Sequence, residues 1–143
     1  MVPQNYANHR RYDFMYHVVL FGILVLTLIG SMVNLYQSMS RHGLYSASLI
    51  VVLTACLLML FFFCRIFALK AQDRAIRAEE NLRHYVLTGK LLDPRLSLRQ
   101  IVGLRFAADE EFAVLAKRAA DENLGAEDIK KAVKNWRSDT YRV

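Results

Sequence analysis

The chain is short of the residues that staple or punctuate a fold: 143 residues contain two cysteines, two prolines and six glycines. Cys56 and Cys64 lie eight residues apart in one apolar run, about 12 Å along a helix, too far to bridge. This excludes a disulfide framework and leaves buried packing thiols. No histidine or second cysteine pair stands at ligand spacing, and His9, His17, His42 and His84 are scattered, so no metal or haem is assigned. The glycines form no phosphate-cradling loop. The acids cluster as Glu79-Glu80, Asp109-Glu110-Glu111 and Asp121-Glu122, at helix starts or on polar faces where water solvates them. Without a nucleophile beside a base, or paired carboxylates in an apolar setting, no catalytic residue and no cofactor is assigned. Strand-like alternation and internal repeats are missing as well.

Charge is missing from two long stretches. Val18–Tyr36 and Leu44–Cys64 contain no Asp, Glu, Lys, Arg or His, and each is close to the ~20 residues that a helix needs to cross a hydrocarbon core. Backbone groups unpaired in lipid are prohibitively costly, so both are expected to be helices. The first run is longer than the core of a cleaved signal, has a poor small-x-small site nearby at Ser38-Met39-Ser40, and reads as a retained span. Asp13 after Arg10-Arg11 spoils a twin-arginine signal.

Sixteen of the nineteen Lys and Arg lie from Arg65 onward, two precede the first run and one sits in the connection Gln37–Gly43. The positive-inside rule then places both termini in the cytoplasm. Tyr36 and Tyr45 at one interface, and Tyr12, Tyr16, Phe63 and Phe67 at the other, suit aromatic belts.

The layout is an N-terminal arm (1–16), a two-helix transmembrane hairpin (17–64, spans about 18–36 and 44–64), a cytoplasmic continuation of the second helix (65–90) and a small helical region (91–143). Within the hairpin, Gly22, Gly30 and Asn34 recur along the first helix, Thr27 and Ser31 lie on an adjoining row, and Ser48 with Ala55 forms a comparable stripe. These are candidates for close helix packing, inside the hairpin or against another protein. Beyond the membrane, Ala68, Ala71, Ala75, Ala78, Leu82 and Tyr85 follow heptad spacing on one seam, expected to dock a helix from the same chain or a symmetry mate. Asp73–Arg77 and Glu79–Arg83 are i,i+4 pairs on its exposed face, and Gly89 is a natural C-terminal cap.

After an Asp93-Pro94 turn, Ser97 and Gln100 form a capping box. Asp109 is the expected cap of a second short helix, closed by Leu124-Gly125. A third helix runs through AEDIKKAVKNWR, with Ile129, Ala132, Val133 and Trp136 on one face.

Those three short helices complete an all-α plan. In the tail, Lys130, Lys131, Lys134 and Arg137 crowd around Trp136 and form the polar side of the helix. They are candidate contacts for anionic headgroups or a partner protein. At the other end Gln4, Asn5 and His9 form a polar cluster at the cytoplasmic membrane face, read as a cap or docking contact for the first span or as a small ligand site.

QNYANH (Gln4–His9), KAQDRAIRAEE (Lys70–Glu80), LRFAADEE (Leu104–Glu111) and IKKAVKNWRSDTYRV (Ile129–Val143) together resemble a family of small bacterial integral membrane proteins known only as domain of unknown function 6526. The resemblance covers nearly the whole chain. It implies a two-span membrane protein with a cytoplasmic helical region and supplies no catalytic residue.

The functional expectation is a membrane-anchored interaction or scaffold module, self-associating or serving as an accessory subunit of a larger complex. An oligomeric transport or channel component, with Asn34, Thr27 and Ser31 facing a pore, ranks second, because two uncharged spans cannot enclose a path alone. Nucleic acid ranks last: sixteen bases against twelve acids from Arg65 onward leave 16 − 12 = +4, far from the one-signed face that phosphate binding uses.

Overall fold

The structure, a computed structural model, describes residues 4–9, 12–39 and 43–139. The fold is all-α, with five α-helices among the described residues: α1 Phe21–Ser38, continued from a π-helical stretch at Met15–Leu20, the long α2 Leu44–Thr88, α3 Leu98–Leu104, α4 Asp109–Asp121 and α5 Ala126–Ala132. Two helical stretches, Met15–Ser38 and Leu44–Thr88, are long and apolar enough to cross a membrane. The chain divides into two compact units, Tyr12–Ala68 and Met1–Arg11 with Leu69–Val143. Arg10, Arg11, Arg41 and His42, which entered the orientation and ligand arguments, lie outside the described residues.

In the first unit the chain enters its helix at Asp13, whose carboxylate accepts the Tyr16 amide at 3.0 Å. Among the buried and half-buried positions, 21, 24, 28, 31, 35 and 38 on one helix and 47, 51, 54, 58, 61, 65 and 68 on the other form a regular row, with 16, 17, 19, 22 and 25, and 48 and 55, half-buried beside it. Alternating steps of four and three are the signature of a knobs-into-holes seam. Ala47, Ser31 and Thr54 are buried in it. Both hydroxyls bond their own helix, Ser31 to the Leu28 carbonyl and Thr54 to that of Ile50, each at 2.8 Å, so small polar residues pack without an orphaned donor. At one end Tyr16 stacks on Phe61 with centroids 4.3 Å apart and donates its hydroxyl to the Phe61 carbonyl at 2.5 Å. A Cβ on Gly22 or Gly30 would meet nothing within 4 Å, and Gly30 and Asn34 are exposed. Ser31 and Thr54 are therefore more buried than that row, in which Gly22 is half-buried, and Ser48 and Ala55 are half-buried as well.

In the second unit, the apolar core comprises Leu92, Leu96, Ile101, Leu104, Ala107, Phe112, Leu115, Ala116, Ala119, Ile129 and Val133, with Trp136 against it. Gly89, at φ +74°, ends α2 by donating its amide to the Tyr85 carbonyl at 2.7 Å, a left-handed position that glycine occupies without a Cβ clash. Asp93 makes the turn, accepting the Leu96 amide on its carbonyl and the Arg95 amide on its side chain at 2.9 Å. Ser97 and Gln100 cap α3 reciprocally. Gly103 is needed for close approach, since a Cβ there would stand 3.0 Å from the Ala126 carbonyl oxygen and 3.4 Å from Ile129. It lets α3 lie against α5.

Several local expectations are corrected. The cap of α4 is Ala108, and Asp109 is its first residue, because the Asp109 carboxylate is engaged by Arg83 at 2.7 Å. Asn123, at φ +48°, turns the chain after α4, and Leu124 donates its amide to the Ala119 carbonyl; Gly125 instead caps α5 with extended backbone. Arg83 turns into the bundle, so the Glu79–Arg83 pair gives way to Arg83–Glu80 at 3.0 Å. His84 bonds the Lys90 carbonyl at 2.7 Å and meets Phe112 edge-on. The tail helix stops at Ala132. Beyond it Ala108 donates to the Asn135 carbonyl at 3.0 Å and Arg137 to that of Phe106 at 2.8 Å, an isolated antiparallel bridge centred on Ala107 and Trp136. Buried backbone between α3 and α4 must find hydrogen-bond partners, and an extended tail supplies them where another helical turn could not.

Candidate functional site

The most elaborate polar arrangement joins the N-terminal arm to α5 and the tail. Asn5 and Asn8 fold the arm into a turn: the Asn5 side chain accepts the Ala7 amide at 2.9 Å, and that of Asn8 accepts the Asn5 amide at 2.6 Å. This aims Gln4, Tyr6 and His9 at the bundle. Gln4 accepts the Asp139 amide at 2.8 Å and donates to the Asp139 carbonyl at 3.4 Å, so its side-chain amide imitates a strand neighbour. Tyr6 donates its hydroxyl to Glu127 at 3.0 Å.

His9 closes the junction and is only 7% exposed. Its Nδ1 lies 2.6 Å from the Tyr6 carbonyl. A carbonyl oxygen can only accept, so this nitrogen carries the proton. Lys130 Nζ approaches Nε2 at 3.4 Å while pairing with Glu127 at 2.7 Å. The ring stands within 6 Å of the rings of Tyr6, Phe106 and Trp136, and Phe106 and Trp136 contact each other at 4.9 Å. Arg105, buried beneath, pairs with Asp139 at 3.2 Å and lies over Phe106 at 4.6 Å.

The Lys130 hydrogen bond, then that of Tyr6, holds the Glu127 carboxyl below its ordinary value. Elsewhere in this unit Asp93 is held low chiefly by the Arg95 side chain and amide. Both carboxylates are surface groups, so each pair stabilises only modestly.

The two predicted end clusters thus meet, but not all their members do. Gln4 and His9 face the tail while Asn5 shapes the arm. Lys130 and Trp136 are turned inward. Lys131 is exposed with its ammonium 5.8 Å from the Tyr6 ring, within cation–π range. The side chain of Lys134 is exposed, and Arg137 approaches Glu80 at 3.8 Å.

Residues that pattern reading passed over hold the other side. Glu111 accepts the amides of Lys134 and Asn135 at 3.2 and 2.9 Å. Arg83 donates to the Ala107 carbonyl at 2.7 Å and lies over Phe112 at 4.3 Å. Glu80, 4% exposed, lies against Arg83 and Arg137. One signal was available: Glu80, Arg83 and Ile76 sit on the α2 face opposite the alanine seam.

That opposition decides what the site can do. α2 contributes Ile76 and Glu80 to the bundle, with Asn81, Arg83 and His84 half-buried. Ala71, Ala75, Ala78, Leu82 and Tyr85 are exposed, Leu82 at 64% and Tyr85 at 54%; Ala68, in the other unit, is half-buried. Among the described residues no group of three or more His, Cys, Asp or Glu could hold a metal ion. The arrangement clasps the arm to the tail on one side and leaves the α2 face of Ala71, Ala75, Ala78, Leu82 and Tyr85 exposed on another.

No curated protein and no solved structure matches the chain. The model of a family of unknown function, DUF6526, matches residues 1–143, and the chain therefore belongs to that family.

Proposed function

We propose that this chain is a membrane-anchored interaction module of the bacterial inner membrane. Its two apolar helices cross the bilayer with both termini in the cytoplasm, and its helical bundle presents a docking face to another protein, as a self-associating scaffold or as an accessory subunit of a larger membrane complex. One observation carries this reading: the chain packs its bundle on the polar face of α2 and leaves the face Ala71, Ala75, Ala78, Leu82 and Tyr85 uncovered. Apolar residues at heptad spacing on a charged helix serve to receive another helix. The exposed bases Lys131 and Lys134 are available to anionic headgroups, where each base near the surface contributes about 1 kcal/mol.

Purification from native membranes in mild detergent, followed by mass measurement and identification of co-purifying chains, tests the proposal. A mass above that of one chain, or a stoichiometric partner, is expected. A strict monomer with nothing bound would remove the basis for an interaction module.

A further inference from the structure

We infer that the occupant of the uncovered α2 face is a second copy of this chain, docked parallel and in register. This rests on the interaction reading above and names its partner. With Ala71, Ala75, Ala78, Leu82 and Tyr85 as the seam, the flanking positions are Gln72, Glu79 and Val86 on one edge and Arg74 and Asn81 on the other. Arg74 and Glu79 are the only charges there. Both are exposed, and neither has an ion pair among the described residues. Glu79 lost its in-helix base when Arg83 turned to Glu80 and Asp109.

In a parallel heptad pair, a residue on one edge meets the residue five positions later on the partner's other edge. Arg74 is five positions before Glu79. Twofold symmetry therefore pairs Arg74 with Glu79 of the second copy twice and leaves no like charges opposed. In an antiparallel pair like edges meet, and both contacts are lost. Two copies inserted in one membrane with the same orientation carry α2 in the same direction, as the charge pattern requires. Alanines at three seam positions let the helices approach closely, while Leu82 and Tyr85 supply most of the apolar area. A seam of about two heptads is short, and confinement to a bilayer supplies the effective concentration that it needs.

The test uses the full chain in native membranes with Cys56 and Cys64 replaced by alanine. Single cysteines are introduced as Ala75→Cys, Ala78→Cys or Leu82→Cys on the face, and Lys70→Cys or Arg77→Cys off it. On oxidation the three face variants are expected to give a dimer at least fivefold above the two off-face variants. Arg74→Glu, added to the Ala78→Cys chain, is expected to lower that yield at least threefold, and Arg74→Glu with Glu79→Arg to restore it. Equal yields on and off the face, or no rescue by the double exchange, overturn the inference. Adducts to a different protein at the face positions also overturn it while leaving the interaction reading intact; a chain that forms no adduct and purifies as a bare monomer overturns both.

Discussion

At the scale of single residues, the second unit depends on a few side chains enclosed on every side. Phe106 is 1% exposed and touches His9, Trp136 and the Arg105 guanidinium. Phe106→Ala removes the ring that all three pack on and is expected to cost about 3–5 kcal/mol, read as a lower unfolding midpoint with red-shifted emission from Trp136, the only tryptophan. Glu127 gives a pH test with a definite sign. Its carboxyl is held low by Lys130 and Tyr6, so the clasped state favours the charged form. Its contribution is present above the ordinary glutamate value of about 4.3 and is lost as pH falls through the lowered value. The Trp136 emission of the native chain is therefore expected to change on acidification by a component that Glu127→Gln lacks, and superimposable titrations would refute the assignment. Little of this was legible beforehand. The tail's apolar residues announced themselves by spacing, but Arg105 and Glu111 look like ordinary surface charges in a one-dimensional pattern, because their partners are backbone groups or residues far along the chain.

At the scale of elements, local signals were read where the forces are local. The Asp93-Pro94 turn, the Ser97–Gln100 box and the Gly89 cap each depend on neighbours within a few positions, and each forms. The failures came where distant groups compete. Asp109 abandons capping for Arg83, and the last helix ends early because backbone at Phe106 and Ala108 takes the tail as its partner. Helix spacing within the bundle makes the next prediction. Gly103→Ala places a methyl group 3.0 Å from the Ala126 carbonyl oxygen, an approach that backbone cannot relieve by a rotamer change. Separation of α3 from α5 is expected to cost about 1–3 kcal/mol, whereas alanine at exposed Gly30, with open space at its Cβ, is expected to leave stability unchanged or slightly raised. Chemical denaturation of both variants makes the comparison, and equal effects would show that the close approach is not needed.

At the scale of the whole molecule, the all-α plan with its long second helix followed from two uncharged runs and a helical continuation without an early stop. What composition could not reveal is that residues 4–9 belong with the bundle, because no local rule connects Gln4 to Asp139 or His9 to Trp136. Replacing Gln4, Tyr6 and His9 together by alanine is expected to leave the helical circular dichroism nearly unchanged while lowering the bundle's unfolding midpoint and exposing Trp136 to quenchers. Unchanged quenching would mean that the arm only rests on the bundle.

The clasp also sets an order of events during synthesis. The arm emerges from the ribosome before the tail: Glu127, Lys130, Trp136 and Asp139 follow more than a hundred residues later. At elongation rates of about 5–20 residues per second, Tyr6 and His9 wait at least several seconds for their partners. Throughout that interval the arm is without its partners in the tail, and the bundle closes only when the tail arrives. A message truncated after α4 would yield a chain with both apolar helices and with its arm left unclasped.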